Sequence, residues 1–202
     1  LSILYAVWSR LVPHPPKYAL RDLILDRKNT VNNWYNSLSA YLKLIFTLLF
    51  ISLFVIGVTN LLLVLFTVPN EWDSMTGHLN RAVRYIQHGT MAHFGGTNWN
   101  MDTYPKSVTS IQIFTYLMSG KFENAFKYIH HASYWVGIVA LFGTTQRISR
   151  NLTASIFTAL VFGMFLNYLM QAVTTETDNV LTAYLSCLIY FLFSFQATRN
   201  HR

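Results

Sequence analysis

The chain contains the uncharged run LIFTLLFISLFVIGVTNLLLVLFTV from Leu44 to Val68. This run follows Lys43 and ends before Pro69. A transmembrane helix needs about 20 consecutive, mainly apolar residues. We therefore predict that residues 44–68 cross a membrane as one helix, and this span sets the frame for the remaining segments.

The composition agrees with a membrane protein and excludes several other classes. The 202 residues are 52% hydrophobic, 16% aromatic and 11% charged, whereas soluble domains average roughly 25% charged residues. Disordered chains are poor in aromatic and branched apolar residues, so disorder is excluded as well. A single cysteine, Cys187, cannot form a disulfide framework within the chain. The Lys and Arg residues are scattered between apolar runs, which argues against a nucleic-acid-binding patch.

Three further apolar runs, 128–145, 152–173 and 180–197, are also predicted spans. Basic residues concentrate on the cytoplasmic side of membrane proteins. In this chain they occur before the first span, between the middle two and after the last: Arg10, Lys17, Arg21, Arg27, Lys28, Lys43, Arg147, Arg150, Arg199 and Arg202. We predict an all-α polytopic membrane protein with four spans and both termini cytoplasmic. Its parts are a cytoplasmic segment 1–43, which can also hold the remnant of an earlier span, an outer loop 69–127 and a cytoplasmic tail 198–202.

The outer loop contains two amphipathic segments that are predicted to form helices at the membrane surface. The first segment covers 74–88 and the second covers 107–119, each followed by a glycine. One face of the first helix is apolar: Met75, Leu79, Ala82, Val83 and Ile86. The opposite face is polar: His78, Arg81, Arg84, Tyr85 and His88. We also expect an interfacial role for the pair His130 and His131.

Two acidic pairs of equal spacing lie at the outer ends of spans. Glu71 and Asp73 follow the first span, and Glu176 and Asp178 precede the last one. Carboxylates close to a bilayer are costly and often functional. If the two pairs converge, they can bind a divalent cation through oxygen ligands or provide a general base.

Helix capping is the alternative interpretation of the two aspartates. Asp73 and Asp178 each precede a predicted helix, where aspartate accepts hydrogen bonds from the first turn and complements the helix dipole. Capping does not explain Glu71 or Glu176. Both interpretations therefore stay open at this stage.

The segment Pro69-Asn-Glu-Trp-Asp-Ser-Met-Thr-Gly-His-Leu-Asn-Arg-Ala-Val-Arg-Tyr-Ile-Gln-His-Gly resembles the first outer loop of the GT-C glycosyltransferases. The resemblance is to bacterial members related to protein O-mannosyltransferases and to the aminoarabinose transferase of lipid A. The stretch 98–120, with Tyr104-Pro105, resembles the second half of that loop, and 176–179 resembles the second acidic element. The resemblance covers roughly residues 44 to 196, and we predict a transmembrane GT-C-like module over 44–197.

This resemblance implies an inverting glycosyltransferase of the bacterial plasma membrane, with a polyprenyl-phosphate sugar as donor and its site on the outer face. Asp73 is then the base that deprotonates the acceptor hydroxyl. Glu71, Glu176 and Asp178 are secondary acids, and Asp73 and Asp178 are candidate ligands of a divalent cation. His78 and Arg81 are predicted to contact the donor phosphate, with extension toward lipid headgroups as the alternative.

A non-catalytic, transferase-like subunit of a larger complex is the alternative function. Gly77 and Asn80 stand where the closest relatives have an aromatic residue and a proline. Family members are also much longer, so we expect this chain to be the N-terminal part. The partners expected beside the donor and membrane lipids are therefore other membrane subunits or a missing C-terminal part.

Overall fold

The computed structural model describes residues 20–69, 71–72, 74–95, 103 and 105–199, with side chains described within 29–196. Every regular element in these ranges is helical and no strand occurs in them, as predicted. The chain divides into two compact units, Leu1–Leu44 and Ile45–Arg202.

The first unit contains α1 (Leu20–Ser37) and the first turn of α2 (Ala40–Phe66). Lys43 connects the two helices within this unit, because its Nζ donates a hydrogen bond of 3.1 Å to the carbonyl oxygen of Asn36. The same ammonium group lies 5.9 Å from the ring centroid of Tyr35. The short connection between the helices is therefore held by one lysine side chain.

Helix α2 contains most of the predicted span 44–68. One stripe of its surface is buried in the second unit: Phe46, Leu53, Gly57, Asn60 and Val64. The rest of the helix exposes large apolar side chains, including Phe54 and Phe66, which are 71% and 77% exposed. A soluble protein rarely exposes a continuous apolar surface of this kind.

The end of α2 is capped by a later segment of the chain. Lys127 is fully buried, and its Nζ donates to the carbonyl oxygens of Leu63 at 2.7 Å and Thr67 at 2.5 Å. Asn124 donates from Nδ2 to the carbonyl oxygen of Leu65 at 2.7 Å. A cation at the carboxyl end of a helix satisfies terminal carbonyl groups and complements the helix dipole. Burial lowers the pKa of Lys127.

The outer segment forms the helices predicted for it. A π-helical turn at Ser74–His78 continues into α3 (Leu79–His88), and α4 covers Ser107–Met118. A 3-10 turn at Glu123–Lys127 leads into the next helix. Gly89 ends α3 with a φ of 63°, a conformation that glycine adopts without strain.

The orientation of α3 differs from a simple surface helix, because part of its polar face is buried. Arg81 and Tyr85 are 1% and 4% exposed, while Met75 and Val83 on the apolar face are 53% and 38% exposed. The apolar face lines a cleft of about 510 Å³ together with Val68. Burial of α3 therefore involves part of its polar face together with Ala82, which is fully buried.

The remaining helices are α5 (Tyr128–Ser149), α6 (Leu152–Gly163), α7 (Leu166–Gln171) and α8 (Asp178–Arg199). Helix α5 packs against both α6 and α8. It approaches α2 closely as well, since a Cβ atom added at Gly57 would lie 2.8 Å from the ring of Trp135. Small residues permit such close helix contacts in membranes.

The prediction of one continuous helix over 152–173 is wrong. Helix α6 ends at Gly163, and Phe165 has an extended backbone with φ −63° and ψ 119° before α7 begins. The hydroxyl of Tyr134 donates to the carbonyl oxygen of Gly163 at 2.5 Å. This bond satisfies one of the carbonyl groups that the interruption of the helix releases.

Two asparagines satisfy further backbone carbonyl groups beyond this break. Asn179 donates from Nδ2 to the carbonyl oxygen of Tyr168 at 2.9 Å, and Asn60 donates to that of Leu169 at 3.0 Å. An interrupted helix is tolerated in an apolar environment only where its backbone groups find partners in the protein. These side chains explain why the chain can bend here.

Two described helices are long and apolar enough to cross a membrane, Ala40–Phe66 and the stretch Asp178–Gln196 of α8. They correspond to the predicted spans 44–68 and 180–197. The predicted span 128–145 lies within helix α5. The remaining predicted span, 152–173, contains the break between α6 and α7.

Replacing Lys127 with methionine tests the cap of α2. Methionine keeps an apolar stem but cannot donate to the carbonyl groups of Leu63 and Thr67, so the free energy of unfolding is expected to fall by about 1–3 kcal/mol. Thermal unfolding in detergent measures the change. The control is Lys121→Met, since Lys121 is exposed. Equal melting temperatures for the two variants would contradict the capping role.

Candidate functional site

The two acidic elements predicted from the sequence meet in the structure through Ser74. The Ser74 hydroxyl donates to Glu71 Oε2 at 3.0 Å, and it accepts from the backbone N–H of Thr175 at 3.4 Å. Ser74 and Thr175 are both fully buried. Segments separated by about a hundred residues in the chain are therefore joined by one hydroxyl group.

The carbonyl group of Thr175 is held from another direction. Gln112 of α4 donates from Nε2 to the carbonyl oxygen of Thr175 at 3.4 Å, and the same nitrogen lies 2.9 Å from Nε2 of His130. We call the four residues Ser74, Gln112, His130 and Thr175 the Thr175 bridge. All four are fully buried, so His130 does not have the interfacial position that the sequence suggested.

Four of the predicted site residues line one cleft of about 540 Å³. The basic residues His78 and Arg81 come from the π-helical turn and α3, and the acidic residues Glu176 and Asp178 come from the segment before and at the start of α8. The cleft continues along α8 past Leu181 and Tyr184, which are 59% and 65% exposed. One end of the cleft is thus rich in charge and the other is apolar.

Arg81 is held in place by the start of α4. Its Nη2 donates to the Thr109 hydroxyl at 2.5 Å and to the carbonyl oxygen of Pro105 at 3.2 Å. Burial lowers the pKa of Arg81, and the nearby Tyr85 opposes this shift. The side chain is buried rather than extended, so the alternative in which Arg81 reaches lipid headgroups is wrong.

The second acidic element is organised by short-range bonds. Asp178 is the first residue of α8 and is exposed, and its Oδ2 accepts from Gln171 Nε2 at 3.2 Å. The N–H of Glu176 donates to the Thr174 hydroxyl at 3.1 Å. These bonds connect the element to the end of α7 and present Asp178 at the cleft.

Glu71 lies apart from this cleft. It lines a smaller cavity of about 210 Å³ together with Ser74, Thr67 and Thr174. Asp73, the predicted base, lies outside the described residues. Within the part of the chain that the structure describes, no group of three or more His, Cys, Asp or Glu residues could hold a metal ion. The predicted Asp73–Asp178 cation site includes one residue outside the described part of the chain.

Basic residues of the outer segment make local contacts. Arg84 donates from Nε to Asn80 Oδ1 at 3.1 Å and lies 5.3 Å from the ring centroid of Phe94. Lys106 donates to the carbonyl oxygen of Met91. Together with Arg81 and Lys127, these residues are four of the five basic residues between 69 and 127.

The sequence reasoning did not identify Ser74, Gln112 or Thr175. A signal was present for Gln112, because it is a strongly polar residue within the mainly apolar helical segment 107–119. A buried amide must form hydrogen bonds, so it indicates a partner elsewhere in the fold. Only the fold identifies that partner, since Thr175 contributes a backbone carbonyl oxygen rather than a side chain.

No known protein family, curated protein or solved structure matches this chain. The functional interpretation therefore depends on the residues of the site.

Replacing Thr109 with valine tests how Arg81 is held. Valine keeps the shape of threonine but cannot accept the hydrogen bond from Nη2, so a buried polar group loses a partner and stability is expected to fall by about 1–3 kcal/mol. Thermal unfolding in detergent measures this. The control is Ser110→Ala, because Ser110 is exposed and its hydroxyl donates to the carbonyl oxygen of Lys106, just before the helix. The Arg81 contact would be unimportant if both variants unfolded like the unmodified protein.

Proposed function

We propose that this chain is a polytopic membrane protein of the GT-C glycosyltransferase type, which transfers a sugar from a polyprenyl-phosphate donor to an acceptor hydroxyl with inversion. The observation that supports this proposal is the cleft lined by His78, Arg81, Glu176 and Asp178. Apolar residues of α8 line the same cleft. A lipid-linked sugar phosphate has three parts that complement this lining: an anionic phosphate, a polar sugar and a long hydrocarbon chain.

The membrane part of this proposal is supported by two long apolar helices and their exposed surfaces. We propose four membrane-crossing segments: α2, α5, the interrupted pair α6 and α7, and α8. Basic residues before α2, at the connection of α5 to α6 and after α8 favour a cytoplasmic location for these parts. The cleft then faces the outer side of a bacterial plasma membrane.

The donor phosphate is proposed to bind at Arg81 and His78. Hydrogen bonds to Thr109 of α4 and to Pro105 just before it orient the guanidinium group of Arg81 at the wall of the cleft, and Arg is well suited to planar recognition of phosphate oxygens. The hydrocarbon chain would follow the exposed surface of α8 past Leu181 and Tyr184. The hydrocarbon chain of the donor can then stay in the bilayer while its phosphate and sugar enter the cleft.

The reaction requires a base and a leaving group. Asp73 is proposed to accept the proton of the acceptor hydroxyl, and the hydroxyl oxygen attacks the anomeric carbon opposite the phosphate. The bond between that carbon and the phosphate oxygen breaks, and polyprenyl phosphate leaves as an anion stabilised by Arg81 and His78. Glu71, Glu176 and Asp178 are proposed to orient the acceptor, and Asp73 and Asp178 to hold any divalent cation.

Cysteine labelling tests the proposed sidedness. In a Cys187→Ser background, His88→Cys is expected to react with a membrane-impermeant maleimide in intact cells, whereas Ser149→Cys reacts only after permeabilisation. Both positions are exposed, so their reactivity reports location rather than burial. The reverse labelling pattern would invalidate the outward orientation of the site.

Replacing Asp73 with asparagine tests the catalytic role. Release of polyprenyl phosphate from a panel of polyprenyl-phosphate hexoses and pentoses measures turnover in membranes that contain the full chain. Loss of the base is expected to lower turnover by about 10²–10⁴-fold, with insertion and expression unchanged.

The matched control is Glu123→Gln, which removes an exposed carboxylate of the same outer segment and should retain full turnover. If Asp73→Asn releases polyprenyl phosphate as fast as the unmodified protein, Asp73 is not the base. Absence of turnover in the unmodified protein with every donor would favour the non-catalytic subunit.

A further inference from the structure

The backbone of Thr175 is bound on both sides by other parts of the fold. Its N–H donates to Ser74 next to the first acidic element, and its carbonyl oxygen accepts from Gln112 of α4. Glu176 follows Thr175 directly in the chain. The position of the second acidic element therefore depends on the Thr175 bridge.

The orientation of the Gln112 amide follows from the groups that its nitrogen faces. A carbonyl oxygen only accepts hydrogen bonds, so the amide nitrogen of Gln112 must face Thr175. The same nitrogen lies 2.9 Å from Nε2 of His130, which must then accept. The His130 ring and the Gln112 amide are therefore held against each other in the buried bridge.

The hydroxyl group of Ser74 forms two hydrogen bonds, one as donor and one as acceptor. It donates to Glu71 Oε2 at 3.0 Å and accepts from Thr175 at 3.4 Å. Ser74 and Thr175 are both fully buried, whereas Glu71 is partly exposed at the smaller cavity. Ser74 thus sets the distance between the carboxylate of one acidic element and the backbone of the other.

We propose that Ser74 is a positioning residue that fixes the separation of the two acidic elements during sugar transfer; this role rests on the proposed function. The carboxylates act on one acceptor and one donor, and small displacements of reacting groups slow a reaction strongly. Ser74 itself touches neither the donor nor the acceptor in this proposal. It acts through Glu71 and through the segment 174–178.

Three variants separate this role from general stability. Ser74→Ala removes both bonds, whereas Ser74→Thr keeps a hydroxyl, and Ser74 lines a cavity of about 210 Å³. The matched control is Thr76→Ala in the same π-helical turn, because the Thr76 hydroxyl donates only a local bond, to the carbonyl oxygen of Trp72 at 2.8 Å.

Two measurements are made on the full chain. Hydrogen exchange followed by mass spectrometry reports the peptide that contains 172–179, and release of polyprenyl phosphate reports kcat and KM. Ser74→Ala is expected to speed exchange of this peptide roughly tenfold, as for the loss of one hydrogen bond. It should lower kcat by roughly tenfold or more with little change in KM. Ser74→Thr should restore both values, and Thr76→Ala should change neither.

The two readouts distinguish failure of this inference from failure of the proposed function. Unchanged exchange in Ser74→Ala would overturn the bridge, whatever the activity. Faster exchange with an unchanged kcat would overturn the positioning role. Absence of turnover in the unmodified protein would overturn the proposed function, and with it the positioning role, while faster exchange would still confirm the bridge.

Discussion

Four structural elements meet at the peptide of Thr175, and the site depends on how that peptide is bound. The segment 172–177 between α7 and α8 has no regular structure of its own beyond turns. Buried backbone groups need partners, and here Ser74 and Gln112 provide them. The bonds join the π-helical turn Ser74–His78 and α4 to the segment before α8, and Gln112 also contacts His130 of α5.

The requirement that buried backbone groups have hydrogen-bond partners also explains contacts elsewhere in the fold. The carbonyl groups at the end of α2 are bound by Lys127 and Asn124, and those near the break after Gly163 by Tyr134, Asn60 and Asn179. Several polar side chains of this apolar chain thus bind backbone carbonyl groups near helix ends. In a membrane an unsatisfied backbone group costs several kcal/mol, which makes such bonds decisive for the fold.

The proposed function depends on the contrast between the two ends of the main cleft. His78, Arg81, Glu176 and Asp178 surround its polar end, while Leu181 and Tyr184 extend it along an exposed apolar helix. A soluble substrate would leave the apolar end of the cleft unoccupied, whereas a lipid-linked phosphate would occupy both ends. The Thr175 bridge lies beneath this cleft and connects it with Glu71 in the smaller cavity.

The sequence alone predicted the helices over 44–68, 74–88, 107–119, 128–145 and 180–197, because length and apolar periodicity depend on local composition. It also placed two acidic pairs at the ends of predicted spans and left open whether the pairs converge. It could not predict the break after Gly163 or the burial of Arg81 and His130. Those depend on partners such as Tyr134, Thr109 and Gln112, which lie far away in the chain or on other helices. Only the tertiary structure brings a polar group and its partner together, so hydrogen bonds over long sequence separations were decided there.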